Sequence, residues 1–402
     1  MKIFKFLAVA LVAMFGFSSC NKDCGHDFIE VDYSNDIVGT WTIIEPDHSA
    51  AYVFNADGTV STTGIDGEGY WEDVKGTYSV VNNKITMAFE SGHNIEGSFD
   101  LIPGQTFSFV DKTGRHTYSF CKDDLADEVV GMWVWVDSNG KGTENMGIQT
   151  FNADGTALFT GGYEEIDYKV NDESTYKVIG DLLIQHLPDQ NPSYMTRRLT
   201  FKANGTATGD ILTTYSPETN YTASWLRVKE TLDLKNKQYD YNNVYVSNVK
   251  GADKDVEFMG YTLNFSNMDG SGLDMMLKSL LFSIEFQNAN SINYSYQMNG
   301  NKETYNAPIV VEGNKLTIKM NDSVPTLKDV TLYAFQDADC TQLHFYMHKT
   351  AFVNFYTNMQ AMLAAATDPA FDITNPAAID AIYTAIDDAV DTINLSIVLK
   401  SK

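Results

Sequence analysis

The sequence predicts a mainly β protein: a tandem row of small antiparallel β-barrels, with a C-terminal helical segment packed on the third. Three observations predict it. Motifs recur in the same order at an offset of about a hundred residues, short apolar–polar alternations fill the repeats, and turn dipeptides separate them. A chain of 402 residues also exceeds what one hydrophobic core organises, so two or three domains are expected.

Residues 1–19 read as an export signal. Lys2 and Lys5 precede an apolar run, Phe6 to Phe17, that is shorter than the roughly 20 residues needed to span a bilayer. Ser18-Ser19-Cys20 follows, and residues Phe17 to Asn21 resemble the lipobox of bacterial lipoproteins. That resemblance implies cleavage before Cys20, a diacylglycerol thioether on its sulfur and an acylated amine. An ordinary secretory signal, leaving Cys20 a plain thiol, is the alternative. Each buried methylene contributes roughly 0.8 kcal/mol, so two or three acyl chains hold a protein on a membrane essentially permanently. Residues 20–35 are then a lipidated N-terminus and linker. No Asp follows Cys20, so outer-membrane delivery is expected, on either the cell surface or the periplasmic face.

Removing the signal strips two lysines and moves the formal charge from −25 to −27. That balance excludes nucleic acid as a partner, because phosphates need a basic surface. With Cys20 lipidated, Cys24, Cys121 and Cys340 remain, too far apart for a disulfide framework; Cys121 and Cys340 read as buried strand thiols.

Residues 36–124 and 125–229 form the duplicated pair. Asp36-Ile37-Val38-Gly39-Thr40-Trp41 returns as Glu128-Val129-Val130-Gly131-Met132-Trp133, and Phe54-Asn55-Ala56-Asp57-Gly58-Thr59 returns identically from Phe151 to Thr156. A hairpin after Gly76-Thr77-Tyr78 is matched after Ser174-Thr175-Tyr176. Asp-Gly, Asn-Asn and Gly-Asp supply the positive φ angles of tight hairpin turns. About eight short strands in about 90 residues favour a small sandwich or a closed meander, and closure removes unpaired edges.

The Gly-x-Trp opening strand, the hairpin meander and a basic residue on the last strand resemble the lipocalins. In that family the tryptophan closes one end of the barrel against an arginine, which here implies Gly131, Trp133 and Arg227. In the first unit Gly39 and Trp41 have only Lys122 at the comparable place. Residues 36–229 look most like the lipocalin-like domains of Bacteroidetes lipoproteins, a likeness that specifies fold rather than ligand.

Residues 230–402 echo the strand–turn–strand pattern from Thr304 to Ile318 and predict a diverged third barrel without a Gly-x-Trp. Leu273 to Leu280 carries helical spacing and reads as an inserted short helix. Two helices are expected to finish the chain: one from about Ala351 to Ala366, the other from Pro376, burying Ile379, Ile382, Ile386 and Val390 on one face.

Nothing marks catalysis, a cofactor or a metal. Glu164-Glu165-Ile166-Asp167 reads as a solvated charge run, Asp337-Ala338-Asp339 as a hairpin tip without the ligand spacing of a calcium loop, and His344 and His348 as strand residues about 13 Å apart. With 22 Tyr and 23 Phe, stacking on sugars is a second theme, and Tyr70, Trp71, Tyr294 and Tyr296 are its candidate rings. Two functions follow: a membrane-anchored, non-enzymatic lipoprotein that binds a small apolar ligand or serves as an interaction scaffold, or a surface glycan-binding accessory of a polysaccharide-utilisation system.

Overall fold

The computed structural model describes residues 33–402, apart from 82, 111–113, 137–146, 162–169, 189–192, 203–209, 259–260, 267–270, 299–300 and 323. The signal, Cys20, Cys24 and the Glu164–Asp167 run lie outside the described residues. Three closed eight-stranded antiparallel barrels follow one another along the chain.

The first barrel comprises β1 (Gly39–Ile44), β2 (His48–Phe54), β3 (Thr59–Asp66), β4 (Gly69–Val81), β5 (Lys84–Phe89), β6 (Asn94–Ile102), β7 (Thr106–Val110) and β8 (Arg115–Cys121). Each strand pairs with the next, and β8 returns to β1. The alternation places Ile85, Met87 and Phe89 inside and Lys84, Thr86 and Ala88 outside. Polar outer positions are the reverse of a lipid-facing barrel. Among the described residues no helix is long and apolar enough to cross a membrane.

The second barrel repeats this with β9 (Gly131–Val136), β10 (Gly147–Phe151), β11 (Thr156–Gly161), β12 (Val170–Ile179), β13 (Leu182–His186), β14 (Tyr194–Lys202), β15 (Ile211–Ser216) and β16 (Tyr221–Val228). Its repeated turn is built like that of the first. Asp57 accepts from the amide and hydroxyl of Thr59, and Asp154 does the same from Thr156, which holds both carboxyls below the usual carboxylate range. Gly58 and Gly155 take φ of +85° and +84° there.

The third barrel joins β17 (Lys237–Gly251) to β20 (Ser283–Asn288), β21 (Ser291–Met298), β22 (Asn301–Glu312), β23 (Lys315–Ile318), β24 (Val330–Gln336), β25 (Gln342–Met347) and β26 (Val390–Ser401). Between β17 and β20 stand a hairpin, β18 (Asp255–Phe258) with β19 (Tyr261–Asn264), and helix α1 (Ser271–Ser279). Helices α2 (Lys349–Thr367) and α3 (Pro376–Asp387) lie between β25 and β26. The expected ending of two helices is therefore corrected. Val390 opens a strand that pairs with β17 and β25 and closes the barrel. Ile393, Leu395, Ile397 and Leu399 alternate into its core, a period of two that no helix carries. Asn375 caps α3 by accepting from the Ala377 amide, with Pro376 in the first turn.

The barrels abut in series. At the first seam, Asp181 in the β12–β13 turn accepts from the Thr42 hydroxyl at 2.5 Å and the Cys121 thiol at 3.0 Å. Gly180 makes the approach possible: a Cβ there would fall 2.8 Å from Cys121 Sγ. Burial, reinforced by Asp181, pushes the Cys121 thiol up to about 12. At the second seam, the outer faces of β9, β15 and β16 pack Val134, Ile211 and Leu226 against Phe335 and Tyr346. His344, two residues before Tyr346 on the same face of β25, is wholly buried, and neither ring nitrogen has a hydrogen-bond partner. Cys340 differs from the expected strand thiol: it is buried in the β24–β25 turn at φ +59°. Cys121 and Cys340 are both free thiols.

Candidate functional site

In a meander barrel the hairpin turns alternate between two ends. The end holding the first residues of β1 and β9 is the closed one. Trp41 and Trp133 are fully buried there, and each indole N–H donates at 2.7 Å to a carbonyl four residues earlier, Ile37 and Val129. Arg227 lies over Trp133 with its guanidinium carbon 4.3 Å from the ring centroid. It donates to the Val130 and Glu128 carbonyls and pairs with Asp210 at 3.1 Å. Gly39 and Gly131 adopt φ of +132° and +133°; a Cβ on them would fall 2.6 Å from Phe120 and 2.8 Å from Arg227. In the first barrel, Lys122 does not stand where Arg227 stands. Strand register pairs Trp133 with Arg227 and Trp41 with Phe120, so an edge-to-face ring contact at 5.0 Å replaces the cation. Lys122 is exposed beyond the end of β8.

The opposite ends are the mouths. In the first barrel Trp71 lies half-buried beside His48, whose ring is also 5.5 Å from His116. The Trp71 indole donates to Thr62. Tyr70 belongs to the first seam instead, stacked on Tyr194 at 4.7 Å. The interiors of both barrels are filled by rings such as Phe54, Phe107, Tyr118, Phe151 and Trp225. Tyr294 and Tyr296, expected as exposed rings, are 7% and 2% exposed inside the third barrel.

The third mouth is covered by α2. His348 precedes the helix, and its ring Nδ1 meets Asn394 Oδ1 on β26 at 2.9 Å. Phe355, Asn358, Met359 and Met362 form one helical face over the barrel. Asn358 grips both backbone groups of Lys328, at 3.0 and 2.7 Å, and Asn354 donates to the Asp329 carbonyl at 2.8 Å. These two amides fasten the helix to the β23–β24 connection.

Under α2 lies a cavity of about 40 Å³, walled by apolar groups including Ile284, Leu332, Phe345 and Ile397. Four methionines converge on it: Met320 and Met347 from the barrel, Met359 and Met362 from the helix. The Tyr294 hydroxyl donates to Met362 Sδ at 3.1 Å, and burial pushes its ionisation far above the usual phenol range. Nothing in this lining offers a nucleophile or a proton shuttle. Among the described residues no group of three or more His, Cys, Asp or Glu is set to hold a metal. Sequence reading missed this cluster, because its methionines come from three separate parts of the chain, the β23–β24 connection, β25 and α2, and only the topology unites them.

No protein-family model matches the chain, and no curated protein matches it. Two solved structures of the vaccine antigen Transferrin Binding Protein B from Haemophilus parasuis, a double and a single mutant, are similar at 10% and 9% identity. The similarity covers 88% of this chain and 66% of theirs, with TM-scores of 0.25 and 0.24. A likeness at that level says nothing of ligand or partner.

Proposed function

We propose that the chain is a non-enzymatic lipoprotein of the cell envelope, anchored to the outer membrane through lipidated Cys20, whose third barrel receives a small apolar ligand beneath α2. The observation that carries this reading is the apolar cavity under a helix held to its rim by two asparagine clamps. Its volume of about 40 Å³ holds less than the ~150 Å³ void known to take benzene, so entry displaces side chains. Methionine is the residue suited to that, being unbranched, polarizable and able to repack at little cost. The first two barrels, filled and closed, act as the spacer and docking frame between anchor and site.

A glycan-associated protein would need a flat row of exposed rings. Tyr294 and Tyr296 lie inside a barrel and Tyr70 is stacked in a seam, so the apolar cavity is the better supported site.

Native mass spectrometry of the protein extracted from its own membranes tests both halves. A mass increment of acyl chains that vanishes in Cys20→Ser is expected, together with a stoichiometric small apolar molecule. Bare protein from every preparation contradicts the ligand; an unmodified Cys20 contradicts the anchor.

A further inference from the structure

The mouth of the first barrel brings together two histidines far apart in sequence. On β2 the inward row Phe54, Tyr52 and Ala50 continues at period two to His48, and on β8 the inward Tyr118 is preceded at the same period by His116. β2 and β8 flank β1, and the two rings meet beyond its end, with centroids 5.5 Å apart and planes inclined at 52°. Phe109 packs on His116 at 5.3 Å and Trp71 on His48 at 6.2 Å, so neighbouring rings hold both imidazoles in place. The Tyr118 hydroxyl lies 3.4 Å from His48 Nε2. Tyr118 is itself buried and boxed in by Tyr52, Phe107 and Phe109.

That spacing is the one a shared ion imposes. An imidazole bound through one nitrogen at about 2.0–2.1 Å keeps its ring centre ~3.2 Å from the metal, so two of them at tetrahedral or trigonal angles stand about 5.2–5.5 Å apart. Both histidines are partly exposed, so an ion reaches them from solvent, while the rings packed below leave room for nothing larger. The turns at the same end carry Glu45, Asp47, Glu68 and Glu90, all exposed, on a chain of formal net charge −25. Their field draws cations toward the mouth.

We infer that His48 and His116 bind one divalent transition ion, zinc or copper(II), with the Tyr118 oxygen as third donor and water completing the coordination. Among the described residues no third His, Cys, Asp or Glu joins the pair, so the two imidazoles carry the selectivity. Two ring nitrogens and a phenol oxygen suit zinc and copper, whereas calcium and magnesium call for several carboxylate or carbonyl oxygens. The site is separate from the cavity of the third barrel and stands or falls without it.

Calorimetric titration of the chelator-treated full chain with zinc, and electron paramagnetic resonance after one equivalent of copper(II), test the inference. Saturable zinc binding and a copper signal split by two nitrogens are expected. His48→Asn and His116→Asn should each weaken zinc roughly tenfold or more and remove the two-nitrogen splitting, with Tyr118→Phe intermediate. His93→Asn, in the exposed β5–β6 turn of the same rim, should change neither. In the unmutated protein, where folding is not in question, zinc is expected to shield His48 and His116, but not His93, from diethyl pyrocarbonate, as read by peptide mass spectrometry. Absence of zinc binding up to millimolar concentration overturns the inference, as does absence of that shielding or unchanged zinc affinity in either histidine variant. Displacement of zinc by an equal concentration of calcium overturns it too, because the acidic rim alone would then hold the ion.

Discussion

Arg227 and Trp133 meet face to face, the guanidinium carbon 4.3 Å from the ring centroid, and strand register gives the first barrel Phe120 against Trp41 in the same place. One closure has been built twice, once with a cation and once with a ring. Arg227 also supplies donors to the Glu128 and Val130 carbonyls, which have no strand partner. Arg227→Leu strips those carbonyls of their donors and removes the ion pair with Asp210, a loss of about 2–3 kcal/mol. Arg227→Lys keeps the charge but not the planar fork, and falls between the two. Urea unfolding followed by tryptophan fluorescence checks the order.

The glycines of the two openings differ from turn glycines. Gly39 and Gly131 combine positive φ with a side chain where Cβ would go, whereas Gly104, at φ +66°, has open space around it. Gly131→Ala and Gly39→Ala are expected to cost about 2–3 kcal/mol, against about 1 kcal/mol for Gly104→Ala. Equal costs at all three sites in thermal denaturation would mean that packing against Arg227 and Phe120 contributes nothing.

Cys121 reports the first seam. With its thiol pushed up to about 12 by burial and then by Asp181, alkylation at pH 8 should be slow. Asp181→Asn removes the charge and loosens the contact with Thr42, and is expected to speed iodoacetamide labelling at least tenfold by intact mass. Unchanged labelling would place the control of Cys121 elsewhere.

How much of this was legible without coordinates follows from what each element needed. The duplicated barrels were readable because Phe-Asn-Ala-Asp-Gly-Thr encodes one turn through Asp57 or Asp154, and a turn motif is local. Lys122 was placed opposite Trp41 because counting along a last strand does not reveal register, which only the pairing of Trp41 with Phe120 settles. The strand β26 was missed because Val390 continues the helical spacing of Ile379, Ile382 and Ile386. Its own signal, Ile393-Asn394-Leu395-Ser396-Ile397 at period two, was present and overlooked. Tyr294 and Tyr296 carry the same period as surface strand residues, and nothing local tells inside from outside.

His344 gives the second seam a pH dependence. Burial alone lowers its folded pKa to about 4 from 6.5. Above pH 6.5 the ring is neutral in both states; as pH falls from 6.5 toward 4, only the unfolded chain takes up the proton, so stability is lost across that window. The full loss is roughly 3 kcal/mol from about 2.5 pKa units. In His344→Phe that component should disappear, so the wild-type urea midpoint is expected to fall relative to the variant's between pH 7 and pH 5. Parallel pH profiles for the two proteins would contradict the assignment.

The cavity under α2 is tested most directly by carbon-13 methyl NMR of methionine-labelled full chain titrated with toluene or a short fatty acid. Saturable shifts are expected at Met320, Met347, Met359 and Met362, and broadening of Met359 and Met362 as α2 yields. Shifts confined to methionines outside the third barrel, or none up to the solubility limit, would contradict a ligand site in that barrel.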